Sequence, residues 1–98
     1  MEIRLLKSAQ TELDEGIDWY EEQLSGLGDE FLNEILQTIK RIRVNPYGWT
    51  EFSKLTRRCL VHKFPYGIIY QIRENELLIL AIAHQHREPD YWKDRMDS

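Results

Sequence analysis

His84, His86, Arg87, Tyr91 and Trp92 fall close together in LAIAHQHREPDYW (80–92), just after an apolar run that ends at Ala83. Residues of these types can do nucleolytic chemistry. Imidazole titrates near neutrality and can move protons during RNA cleavage. Guanidinium groups bind phosphate oxygens and hold charge that builds in a transition state. Aromatic rings stack on bases. Arg58 and Arg95 extend the set of candidate phosphate ligands.

Each residue also has a plainer reading. His84 and His86 share a face if the strand continues through them, because side chains alternate along a strand. No Cys or third His joins them at ligand spacing, so no metal and no cofactor are expected. His84 reads first as the end of a strand, capped by a buried hydrogen bond. Surface ion pairs are the alternative for Arg58, Arg87 and Arg95, since seven acids lie in the same half of the chain. By period two, Arg58 sits with Leu60, His62 and Phe64, and Arg57, Cys59 and Val61 form the other face. Trp92 reads as a pin that holds the tail on the core. Tyr91 divides evenly between that role and stacking.

The elements that must position these residues follow from periodicity. A first strand is expected over 2–6. Ser8 offers an N-cap to a helix whose apolar stripe is Leu13, Ile17, Tyr20 and Leu24. Gly16 weakens that helix slightly. SGLGD (25–29) breaks it, and Asp29 can cap a second helix with Phe31, Ile35, Ile39 and Ile42 on one face, widened by Leu32 and Leu36. Pro46 ends that helix at or before Asn45. The period then changes to two, and strands are expected over 57–64, 67–73 and 77–84. ENE (74–76) is too short to join anything but antiparallel neighbours. The last strand is apolar on both faces, which places it centrally. A short extra strand near Trp49 to Ser53 fits as well. Residues 87–95 form a tail with one helical turn near Pro89. The expected fold class is α+β, β-α-α-β-β-β: a helical hairpin packed on a mostly antiparallel sheet, in a single domain over 1–98.

Charge narrows the function. The 98 residues carry 13 Lys/Arg and 17 Asp/Glu, a net charge of −4. The stretch 8–39 has nine acids and no Lys or Arg, whereas 54–64 has Lys54, Arg57, Arg58 and Lys63 and no acid. A general polyanion binder is excluded, and one local basic face remains. The longest apolar run, Leu77 to Ala83, is too short to span a bilayer, and MEIRLLKSAQ lacks a signal-peptide core. A lone Cys59 fits a reducing compartment, so the cytoplasm is the expected location, and the thiol reads as a small buried hydrophobe.

The order of elements, NPYGW after the second helix, RRCLVHKFPYGIIYQI and ILAIAHQHREPDYWKDR together resemble the RelE/ParE toxin superfamily of bacterial type II toxin–antitoxin modules. The likeness spans nearly the whole chain. Its most specific parts are Phe64-Pro65-Tyr66 with Tyr70, and the ending His84…Arg87-x-Pro89-x-Tyr91-Trp92…Arg95. The resemblance implies one of two activities. In a RelE-like, ribosome-dependent, metal-free mRNA endoribonuclease, Arg58 would hold the phosphate. His84 or His86 and Tyr91 would then transfer protons, and Arg87 would assist. A ParE-like toxin would instead inhibit DNA gyrase by binding it. Target contacts would then fall to Lys54, Arg57, Arg58, Lys63, Arg87 and Arg95. Either toxin would form a hetero-oligomer with a cognate antitoxin and would need no membrane. A non-toxic, partner-binding relative is the third reading. With a pI near 5.3 the chain is poorly matched to ribosomal RNA, and the gyrase reading is preferred.

Overall fold

The computed structural model describes residues 1–53 and 55–97. The chain runs β1 (Glu2–Leu5), α1 (Lys7–Gln23), α2 (Leu27–Val44), β2 (Thr50–Ser53), β3 (Thr56–Leu60), β4 (Tyr66–Arg73) and β5 (Glu76–His84), then a short 3-10 turn, Lys93–Asp97. The sheet order is β1-β5-β4-β3-β2. Only the β1–β5 pair is parallel, with Leu5 opposite Ile79. The α+β expectation and the extra strand near Trp49 to Ser53 both appear in this arrangement.

Helix starts differ from the sequence reading. Ser8 caps nothing: α1 begins at Lys7, and the Leu6 cap position makes no side-chain cap bond. The Leu6 N–H instead donates to Ile79 O at 3.1 Å, so the chain passes straight from the sheet into the helix. Asp29 does not cap α2 either. Its cap position is Gly26, left-handed at φ 91°, a conformation that glycine adopts without Cβ strain. The Glu21 carboxylate reaches across the loop and accepts from Gly26 N–H and Gly28 N–H, each at 3.1 Å. Those donors are the orphans of a helix start, satisfied from the preceding helix. Gly16 also has a positive role, because a Cβ there would meet Phe31 Cε2 at 2.7 Å. The bare backbone lets the Phe31 ring pack against α1.

The apolar stripes bury as their spacing predicts, with two exceptions. Phe31, Ile35 and Ile42 are buried, and Ile17, Tyr20, Leu32 and Ile39 pack around them. Leu24 and Leu36 are exposed instead, at 64% and 52%. Leu24 has already left helical geometry as the C-cap of α1.

The third expected boundary also moves. β3 ends at Leu60, not at residue 64. Lys63 turns left-handed at φ 71°, which breaks the alternation. Phe64 therefore joins the core on the side of Cys59 and Val61, not on that of Arg58. A two-residue turn closes β4 to β5, with Arg73 opposite Glu76.

β5 is covered on both faces, as its continuous apolar run requires. Leu77, Ile79 and Ile82 face the helices, while Leu78, Leu80 and Ala81 pack with Ile69 and Trp92 on the opposite face. Leu80 and Ala81 share a face because the register slips there: Ile69 pairs with Ala81 and Tyr70 with Ile79. Leu80 is the extra residue of a bulge.

Candidate functional site

The expected site residues gather at the carboxyl end of β5 and under the tail, and they reach it from both faces of the sheet. Cross-strand partners share a face, and His84 is opposite Tyr66. The Tyr66 ring packs on Phe31 of α2 and on His84, at 4.8 and 5.0 Å between centroids. His84 is therefore on the helix side. Arg58 is opposite Ile69, whose side chain lies on the tail side. Its stem runs over Gly67, and its guanidinium stacks on Phe52 at 4.7 Å. The expected phosphate ligand and the histidine sit on opposite faces, and both line a cleft of about 100 Å3 with Arg87 and Tyr91.

His84 does end its strand with a hydrogen bond, but an exposed one. Its Nδ1 accepts from the His86 N–H at 3.0 Å. The strand stops at His84, so His86 folds back and the rings lie 5.1 Å apart. Partial burial, aided by the charge of His86, lowers the His84 pKa below its ordinary value. Arg57 is committed elsewhere. It donates to Tyr47 O and Trp49 O at 3.0 and 2.8 Å and pairs with Glu51 at 3.1 Å. Lys63 lies 3.6 Å from Glu34. Lys54 is outside the described residues.

The organising residue is one the sequence reading passed over, Glu12. Its Oε2 accepts from the Tyr91 hydroxyl at 2.6 Å and from Arg95 Nη2 at 3.1 Å. Its Oε1 accepts from Arg95 Nη1 at 2.9 Å and from the Ile82 N–H at 3.0 Å. Arg87 approaches to 3.9 Å, and its guanidinium lies 3.9 Å from the centre of the Tyr91 ring. Arg95 Nη1 also donates to Leu80 O at 2.9 Å.

The sheet explains why a carboxylate and a guanidinium are needed here. β1 stops at Leu5, opposite Ile79. Beyond that point β5 has no strand on that side, and Leu80 O and Ile82 N–H would be left unpaired. Buried backbone groups without partners are costly. Arg95 answers the carbonyl and Glu12 answers the N–H, so one ion pair stands in for the missing strand. It also closes an edge that would otherwise recruit other chains. A faint signal for Glu12 existed in the sequence. It stands three residues after Ala9 and four before Gly16, on a line of small residues where α1 comes closest to its neighbours.

The clamp sets the chemistry of Tyr91. Burial, the hydrogen bond to Glu12 and the Glu12 charge all drive its pKa well above the ordinary tyrosine value, against the pull of Arg95 and Arg87. A phenol held that firmly in its neutral form is neither a base nor a ready acid near neutrality.

Beside the clamp lies a larger groove, about 580 Å3, between α1 and the ends of β4 and β5. Trp19, Tyr20, Pro65, Tyr66 and Ile82 supply its apolar walls, and Glu15 and Arg87 its charged rim. Trp19 is 56% exposed there. Among the described residues no helix is long and apolar enough to cross a membrane.

This fold, a helical hairpin on a mixed sheet, is similar to that of a solved chain of the chromosomal ParDE TA system from P. aeruginosa. The TM-score is 0.72 at 18% identity, over 86% of this chain and 95% of that one. No curated protein matches significantly. The profile of the ParE toxin of the type II toxin–antitoxin system, parDE, matches residues 3–89, and the chain belongs to that family.

Proposed function

We propose that this chain is the toxin of a type II toxin–antitoxin module and acts by binding DNA gyrase rather than by cutting RNA. Family membership supplies the class. The observation that carries the choice of mechanism is the Glu12 clamp. A metal-free nuclease would need Tyr91, Arg87 and Arg95 free to meet a phosphate. Here a carboxylate occupies Tyr91 and Arg95 and lies near Arg87, and it would repel the phosphate as well. Arg58 lines the small cleft with Tyr91 and Arg87, but its guanidinium is stacked on Phe52.

A cognate antitoxin would hold the toxin in check, and the α1 groove is the surface best shaped to receive it. Its aromatic walls supply the kind of central anchor that dominates protein interfaces. The cleft under the tail is also apolar but far smaller, about 100 Å3 against about 580 Å3.

The decisive experiment adds purified protein to a gyrase supercoiling assay and, separately, to a translating ribosome extract. Loss of supercoiling with intact message is the expected result. Codon-spaced cleavage of message would overturn the proposal in favour of the ribosome-dependent nuclease. Replacing His84, His86 and Tyr91 together should leave toxicity in place, provided the variant still melts cooperatively. Expression without antitoxin should arrest growth; unimpaired growth would point to the non-toxic relative.

A further inference from the structure

One acid-free stretch with free positive charge lies at the end of α2. From Ile35 to Thr50 there is no acid, and Lys40, Arg41 and Arg43 stand there with Tyr47 and Trp49. Part of that charge has a structural purpose. Cations in a last helical turn offset the helix dipole. Arg41 donates to Thr38 Oγ1 at 3.0 Å and to Leu60 O at 3.3 Å, and it lies 5.7 Å from the Trp49 ring centre. Arg57 arrives from β3 and stacks on Tyr47 at 5.6 Å.

Lys40 and Arg43 make no such bonds. Both are exposed, and neither makes an ion pair or side-chain hydrogen bond among the described residues. Beside them an aliphatic and an aromatic side chain face water: Val44 is 79% exposed and Tyr47 64%. A shallow groove of about 380 Å3 runs between Val44 and Trp49, with Lys40 and Arg41 on its rim. An apolar groove with the free cation Lys40 on its rim, and Arg43 three residues along the same helix, is the complement of an acidic amphipathic segment.

We infer that the end of α2 is a docking surface for an acidic amphipathic segment of a partner protein. One apolar side chain of the segment enters between Val44 and Trp49, and its carboxylates reach Lys40 and Arg43. Charge and shape favour this occupant over nucleic acid. Phosphate binding grows with the number of phosphates neutralised, and two free cations on a chain of net charge −4 neutralise few. A duplex would also extend past the patch, and a phosphate backbone has no use for an exposed valine. The surface shares no lining residue with the α1 groove. It stands whether or not the chain acts on gyrase.

The test is fluorescence anisotropy with the full chain and a labelled synthetic peptide of about four helical turns, leucine on one face and glutamate on the other. Two control peptides replace either the glutamates with lysine or the leucines with serine. The Leu/Glu peptide should bind and both controls should not. Lys40→Glu with Arg43→Glu should weaken binding on the order of tenfold. Val44→Ser should weaken it through the apolar contact alone. All three positions are exposed, so unchanged circular dichroism and melting are expected. Equal binding of the lysine control, or no effect of the charge reversal, would overturn the inference. So would a DNA duplex that binds more tightly than the peptide and is lost on the same reversal. Self-association in sedimentation that the reversal abolishes would assign the surface to a second copy and overturn it as well.

Discussion

The two faces of the sheet are built on different principles. The helix face joins thirteen buried residues from α1, α2, three strands and the loop after β3 into one continuous core. The tail face has five, and one of them, Trp92, comes from the tail itself. The first face is held by apolar area, which is non-directional and spread over many contacts. The second has too little area to hold a tail of this length, so it relies on a few directed bonds. Arg95, Tyr91 and Arg87 converge on Glu12, and the Arg73 guanidinium reaches Met96 O. Apolar cover makes a core that tolerates adjustment. Polar clamps make one that either closes or opens, and Arg58, Arg87 and Tyr91, though not His84, are on the clamped side.

The comparison breaks first at Phe31. Truncation to alanine removes a fully buried ring that touches Tyr20, Phe64 and Tyr66 and leaves a cavity against Gly16. The expected cost is about 4 kcal/mol, with a fall in Tm of roughly 15–20 °C. Amide exchange should quicken throughout the molecule. Glu12→Ala should cost about 2–3 kcal/mol, because it orphans the Ile82 N–H and the Arg95 guanidinium. Its signature should be local: trypsin cuts after Arg87, Lys93 and Arg95, and exchange rises at Ile82, while α1 and α2 stay protected. Uniform loss of protection in Glu12→Ala would mean that the two faces are a single cooperative unit.

Much of the helix face was legible in the sequence, and little of the clamp was. The stripes Leu13-Ile17-Tyr20 and Phe31-Ile35-Ile42 repeat at helical spacing, and burial follows because each helix has only one apolar side. The double-sided burial of β5 was legible for the same reason. Ser8 and Asp29 misled because capping is a local propensity, overridden here by Leu6 bonding to the sheet and by Glu21 bonding across the loop. Phe64 misled because one left-handed residue, Lys63, ends the alternation. Glu12 is harder in kind. Its role depends on where β1 stops relative to the bulge at Leu80, far along the chain, and no window of sequence contains both. Arg58, His84 and Tyr91 suggested one site through residue type, yet strand register divides them between two faces.

The hydroxyl of Tyr91 sharpens the contrast. Tyr91→Phe keeps the ring and loses one hydrogen bond to a carboxylate, at an expected cost of about 1.5 kcal/mol. The pH dependence carries more information than the cost. A tyrosine held above its ordinary pKa of 10.0 adds full stability below that pH and loses it as pH rises toward the folded value, because only the unfolded chain readily gives up the proton. On the helix face, burial pushes Tyr70 up to about 12, with its hydroxyl donating to Pro46 O. Each phenylalanine variant should flatten part of the alkaline limb of stability, and the late part should belong to Tyr91. An alkaline limb unchanged in Tyr91→Phe would show that the phenol is not held by the clamp.

The smallest effect belongs to His84, at the lip where the two faces meet. Burial first, and then the neighbouring His86, hold its pKa below the ordinary 6.5. The unfolded chain therefore takes up the proton before the folded one does as pH falls. Stability should be level above that pH and decline from there down through the folded pKa. Chemical denaturation of the wild type at about pH 7.5 and about pH 5.5 should show a small deficit at the lower value. His84→Gln should remove it, and His86→Gln should shrink it by deleting the second charge. An imidazole titrating above its ordinary value in NMR would contradict this, and would call for an anion or acceptor at the ring; Glu12 and Glu15 line the groove that His84 borders. Were it Glu12, the carboxylate would have to turn from Arg95 toward the groove, releasing Tyr91 and exposing the charged groups that the clamp now keeps from a phosphate.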